Sequence, residues 1–190
     1  MAPELEAFRE EFDAVASDAE ALLASLSDNQ FYWAPNPATW SVAQCLEHLN
    51  NTARSYLPML DEGIASAKRW GVYGTGPFRY RWFSRFFLKQ MEPPVRRRFK
   101  APATFAPAPQ SAPQRKRSEI EAGFRGYQVQ FVDRLRQANG VDLKKARVQS
   151  PANRWVRLDL GAGLALMAAH ERRHLWQARR LIERPDFPKA

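Results

Sequence analysis

A single cysteine, Cys45, excludes an intrachain disulfide and makes a reducing compartment the simpler setting. Histidine is nearly as scarce, with three in 190 residues. No apolar run approaches the roughly 20 residues that a membrane span needs. The opening MAPELEAFREEFDAV is acidic and amphipathic, unlike the basic start and apolar centre of a secretory signal. A soluble, cytoplasmic protein is the expectation. Acidic side chains all but vanish from residues 68–117, which carry a net charge of +12, against −9 for residues 1–67 and +6 for residues 118–190. The overall +9 is therefore local, and it does not by itself mark a nucleic-acid binder.

What is present is helical periodicity. Leu5, Phe8, Phe12, Val15, Ala19, Leu22, Leu23 and Leu26 recur at three- and four-residue steps. After a loop, SDNQFYWAPNPATW, Ser41 and Gln44 form a capping-box pair that opens a second helix through Val42, Cys45, Leu46, Leu49, Tyr56 and Leu57, with a bend expected near Pro58. A third run, Ile120, Phe124, Tyr127, Phe131 and Leu135, stops at Asn139-Gly140. A fourth starts near Asp159 to Gly161 and runs to about Arg184, ahead of Pro185. No stretch of comparable length alternates with period two, and no internal repeat is visible. The chain therefore reads as one all-α domain over 1–190, a four-helix bundle with a long crossover inserted at about 68–117. A connection of that length lets the second and third helices lie parallel. The crossover holds an aromatic and basic stretch with a short helix, followed by a proline-rich arm.

The histidines carry the chemistry. HERRH, His170 to His174, matches the H-E-x-x-H pattern of zinc peptidases. Such enzymes draw a third ligand from a later element, whereas here the helix ends soon after Ile182 and Glu183 is too close on the same helix. Glu171, about 100° round from His170, is expected on the flank rather than as a general base. Gly163, Leu166, Met167, His174, Gln177 and Leu181 fall within about 60° of His170. Both histidines thus lie mid-face on a stripe that must be buried, with Arg172, Arg173, Arg179 and Arg180 on the flanks or the opposite face. Imidazoles among aliphatic neighbours need polar partners, and one metal ion supplies a partner for both. His48 lies at the polar margin of the second helix and can point inward as well. Three neutral imidazoles, His48, His170 and His174, form a ligand set with open positions, suited to zinc, nickel or iron. Gln177, on the same stripe, is the candidate to orient a histidine or a bound ligand. Cys45 reads as a small buried hydrophobe rather than a fourth ligand, and Trp40, Trp176 and Met167 as core.

TWSVAQCLEHLN at 39–50 and HERRHLWQARRL at 170–181 resemble the W-S-x-x-x-x-x-H-L and H-x-x-x-H-x-x-Q segments of the DinB-like (YfiT-like) proteins. The resemblance implies an up-down-down-up four-helix bundle, often dimeric, holding a divalent metal on the residues matched by His48, His170 and His174. It also implies thiol-dependent transferase or isomerase chemistry with a low-molecular-weight thiol and a small-molecule substrate; hydrolysis by a metal-bound water is the variant that a three-histidine site itself offers. A different reading makes Arg79, Arg81, Arg85, Arg96, Arg97 and Arg98, interleaved with Tyr80, Trp82 and Phe83, a surface for nucleic acid or an acidic partner. RWFSRFFLK also has the makings of a membrane-surface contact. The plainer reading of the crossover, a solvated strap, is preferred, and nucleic acid is not an expected partner.

Overall fold

The computed structural model describes residues 1–94 and 101–189. Six helices run in the order α1 (Pro3–Ala24), α2 (Asp28–Tyr32), α3 (Val42–Arg69), α4 (Trp82–Met91), α5 (Arg117–Gln137) and α6 (Leu160–Ile182). Strands β1 (Arg147–Ser150) and β2 (Asn153–Asp159) stand between α5 and α6. The four long periodic runs are all helices, and α3 passes through an exposed Pro58. Ser41 caps α3 with the reciprocal Gln44 bonds at 3.1 Å each. Gly140, at φ 85°, supplies the left-handed turn that follows α5.

α1 packs on α5 and α6, and α3 packs on the same two, so the long helices enclose a shared interior. At its middle Phe12 and Phe131 stack with ring centroids 4.9 Å apart. Partner numbers rise together between α3 and α5, through Asn50 with Ile120, Arg54 with Tyr127 and Asp61 with Arg134. They rise together again between α1 and α6, through Glu11 with Arg172 and Asp18 with Arg179. Between α1 and α5 they run in opposite senses: Ala2 meets Asn139, Phe12 meets Phe131 and Leu23 meets Arg117.

Two expectations are corrected. The fold is mostly helical rather than all-α, because β1 and β2 pair as an antiparallel hairpin with Val148 opposite Leu158. Val148 and Leu158 are buried against the bundle while Gln149 and Arg157 face outward, a period-two pattern too short to stand out beside the helices. The loop after α1 is also not all loop: Ser27 and Gln30 form a second capping box that opens α2. Short α4 lies within the crossover and packs on α6. Arg96, Arg97 and Arg98 lie outside the described residues. Arg79, Arg81 and Arg85 are exposed, and the Arg81 guanidinium lies 3.7 Å from Asp159 while its backbone N–H donates to the same carboxylate. Tyr80 is partly buried and packs against the core, with its hydroxyl donating to Glu4. No helix among the described residues is long and apolar enough to cross a membrane.

Candidate metal centre

The cap at Ser41 starts α3 so that His48 falls on its inner face at the second turn, and the four-residue spacing on α6 stacks His170 over His174. The three rings converge. Centroids lie 4.4 Å apart for His48 and His174, 4.6 Å for His170 and His174, and 5.0 Å for His48 and His170. One ligand nitrogen from each ring lies within 4.8 Å of the others. His48 Nε2 and His170 Nε2 are 3.1 Å apart. Imidazole nitrogens bound to one metal at about 2.0–2.1 Å sit roughly 2.8–3.4 Å from each other at octahedral to tetrahedral angles, so this spacing fits a shared ion.

Burial sets the protonation state. His48 and His174 are buried and His170 partly so. Desolvation, reinforced by the neighbouring histidine and by Arg173, pushes His170 down to about 3. His174 is held well below the ordinary range by the same causes, with Gln177 opposing the shift. His48 is lowered by burial, and its hydrogen bond to Phe105 opposes that. All three therefore favour the neutral form, which is the form that binds metal. The 2.8 Å contact between His48 Nδ1 and the Phe105 carbonyl requires a proton on Nδ1 and leaves Nε2 as a bare acceptor facing His170. His174 Nδ1 is buried without a hydrogen-bond partner.

The surroundings differ from the sequence expectation in three places. Trp40 is only partly buried and lies over the site, 4.9 Å from His48 and 5.8 Å from His174 between ring centroids. It also lines a cleft of about 360 Å³ with Pro37, Gln44, Ala106, Pro107 and Pro109. Arg173, assigned from the wheel to a flank or the opposite face, is buried, donates to the Gln90 carbonyl of α4 at 3.1 Å, and adds positive potential at all three histidines. Glu171 is not a solvent flank either: it is 4% exposed, accepts from Gln128 at 2.9 Å, and is pushed up to about 8 by burial. Cys45 stays a core residue outside the cluster, its thiol pushed up to about 12 by burial. Trp176 is partly buried and Met167 fully so.

The DinB superfamily family model matches residues 11–178, a span that includes all three histidines. The chain belongs to the DinB superfamily. No curated protein and no solved structure matches it. Within this DinB-superfamily chain the three-histidine cluster is the group among the described residues that could hold a metal ion. The donor set is chemically consistent with one: three neutral imidazoles, no carboxylate, and His48 Nε2 left as an acceptor facing His170.

Proposed function

We propose that this chain binds one divalent ion through His48, His170 and His174 and uses it to activate a thiol for transfer or isomerisation of a small electrophilic substrate. The observation that carries this reading is the all-imidazole cluster. Neutral ligands leave an ion's full charge in place, and Arg173 adds to it, so the site favours an anionic partner such as a thiolate. A bound divalent ion lowers the pKa of a thiol or water that reaches it. The chain's own groups supply the rest. The Phe105 carbonyl turns His48, and Trp40 limits water over the rings. We also infer an up-down-down-up path for α1, α3, α5 and α6, supported by partner numbers that rise together between α3 and α5 and between α1 and α6.

Cobalt substitution tests the thiol chemistry. A small thiol added to the cobalt form should produce sulfur-to-metal charge-transfer absorption. The band should persist in Cys45→Ser and disappear with the metal in His48→Ala. A cobalt form whose spectrum ignores every thiol offered would overturn the thiol reading and point to water activation.

A further inference from the structure

The proline-rich end of the crossover is not simply solvated; it is gripped by the helix that carries His48. Four side chains on one face of α3 hold it, and each contacts a backbone atom of the arm. His48 Nδ1 donates to the Phe105 carbonyl at 2.8 Å, and Asn51 Nδ2 to the Ala106 carbonyl at 3.2 Å. Gln44 Nε2 donates to the Ala108 carbonyl at 2.8 Å, while the Ala108 N–H donates to Glu47 at 3.3 Å. Further along, Gln110 reaches the Thr39 carbonyl at 3.3 Å. From His48 and Asn51 at 105–106, through Glu47 and Gln44 at 108, to Thr39 at 110, the arm runs antiparallel to the first turns of α3.

We infer that this arm, over residues 105–110, is a built part of the metal centre: it holds His48 in the Nδ1-protonated tautomer and aims Nε2 at His170. Three features support this. The residues at 44, 48 and 51 recur at helical spacing, so a single face presents all the donors at once. Their targets are main-chain atoms, so the path of the arm is recognised rather than its side chains, and Pro107 and Pro109 stiffen that path. Phe105 anchors the end, 5% exposed and 6.0 Å from the Tyr56 ring between centroids. A histidine ring whose far nitrogen donates to a fixed carbonyl has its tautomer and orientation set, which strengthens its other nitrogen as a ligand. Here that carbonyl is 57 residues away in the chain.

Two variants loosen the arm without touching the histidines. Glu47→Ala/Asn51→Ala removes two of the grips and keeps the Ser41 and Gln44 cap. Pro107→Gly/Pro109→Gly relaxes the arm and leaves α3 unchanged. In metal-free, isotope-labelled full-length chain, long-range proton–nitrogen NMR should find His48 of the wild type protonated at Nδ1, and both variants should shift toward the Nε2 tautomer. Both should bind zinc about tenfold more weakly, with helix content by circular dichroism unchanged. A wild-type His48 protonated at Nε2 would overturn the inference. So would variants that keep both the tautomer and the zinc affinity of the wild type. Only the affinity measurement rests on the proposed metal binding: a wild-type chain that takes up no zinc refutes that proposal, and the metal-free ring assignment still decides the role of the arm. Should a variant lose helix content, the wild-type assignment decides it as well.

Discussion

Glu171 and Gln128 meet in the interior, where the Gln128 amide donates to Glu171 Oε1 while Glu171 Oε2 and Gln128 Oε1 are left without partners. Both orphans are acceptors, and a protonated carboxyl is the form of Glu171 that brings a donor to them. That agrees with its pKa being pushed up to about 8 by burial. The sign follows from linkage: the folded chain holds this proton more tightly than the unfolded chain. Glu171 therefore favours folding fully below the ordinary carboxyl range, and that contribution is lost as pH rises through about 8. Glu171→Gln is expected to flatten this loss. Chemical denaturation should show the variant more stable than the wild type by about 1 kcal/mol or more at pH 8 and the difference shrinking toward pH 5. A constant difference across that range would mean that Glu171 does not change its proton uptake on folding.

At the scale of elements, Gly63 is the point where α3 admits the hairpin. A Cβ built there would lie 2.7 Å from the Arg147 carbonyl oxygen and 3.1 Å from a Val148 methyl, and the first of these is backbone that cannot swing aside. Gly63→Ala should push β1 outward and cost about 1–3 kcal/mol in a urea melt, as overpacking does. An unchanged midpoint would show that the hairpin seats on α3 without needing the gap. The long helices were legible because their apolar residues repeat over five or more turns, and the caps at Ser41 and Gly140 stand in the sequence as residue types. The hairpin was not, since only Val148, Val156 and Leu158 carry its inner face and Trp155, at 81% exposure, breaks the contrast between faces. Ser27 and Gln30 repeat the capping-box spacing of Ser41 and Gln44, so α2 could have been found from that signal alone. Glu171 and Arg173 were misplaced for a different reason. A helical wheel allots one buried stripe to α6, but Gln128 of α5 reaches Glu171 on one side of that stripe, and α4 packs over Arg173 on the other, which four helices alone would leave to water. The bond from His48 to Phe105 has no local signature, because it joins α3 to a loop beyond α4.

Across the whole molecule, the uneven charge of the sequence is partly matched in space. The acidic α1 faces basic residues of α6 in Arg172 with Glu11 and Arg179 with Asp18, and Arg134 of α5 pairs with Asp61 of α3. These pairs are partly exposed and contribute modestly to stability, but they align long helices whose apolar faces would tolerate small slips. Alignment matters because His48 and His170 stand 122 residues apart in the chain, and the three nitrogens meet only when α3 and α6 hold one relative height. The central claim is that this meeting point is a metal site. Elemental analysis of untagged protein, reconstituted with zinc and dialysed, tests it most directly. The account predicts one ion per chain in the wild type and a sharp loss in each of His48→Ala, His170→Ala and His174→Ala, with helix content retained. A wild type that retains no zinc, or three variants that retain as much as the wild type, would contradict it.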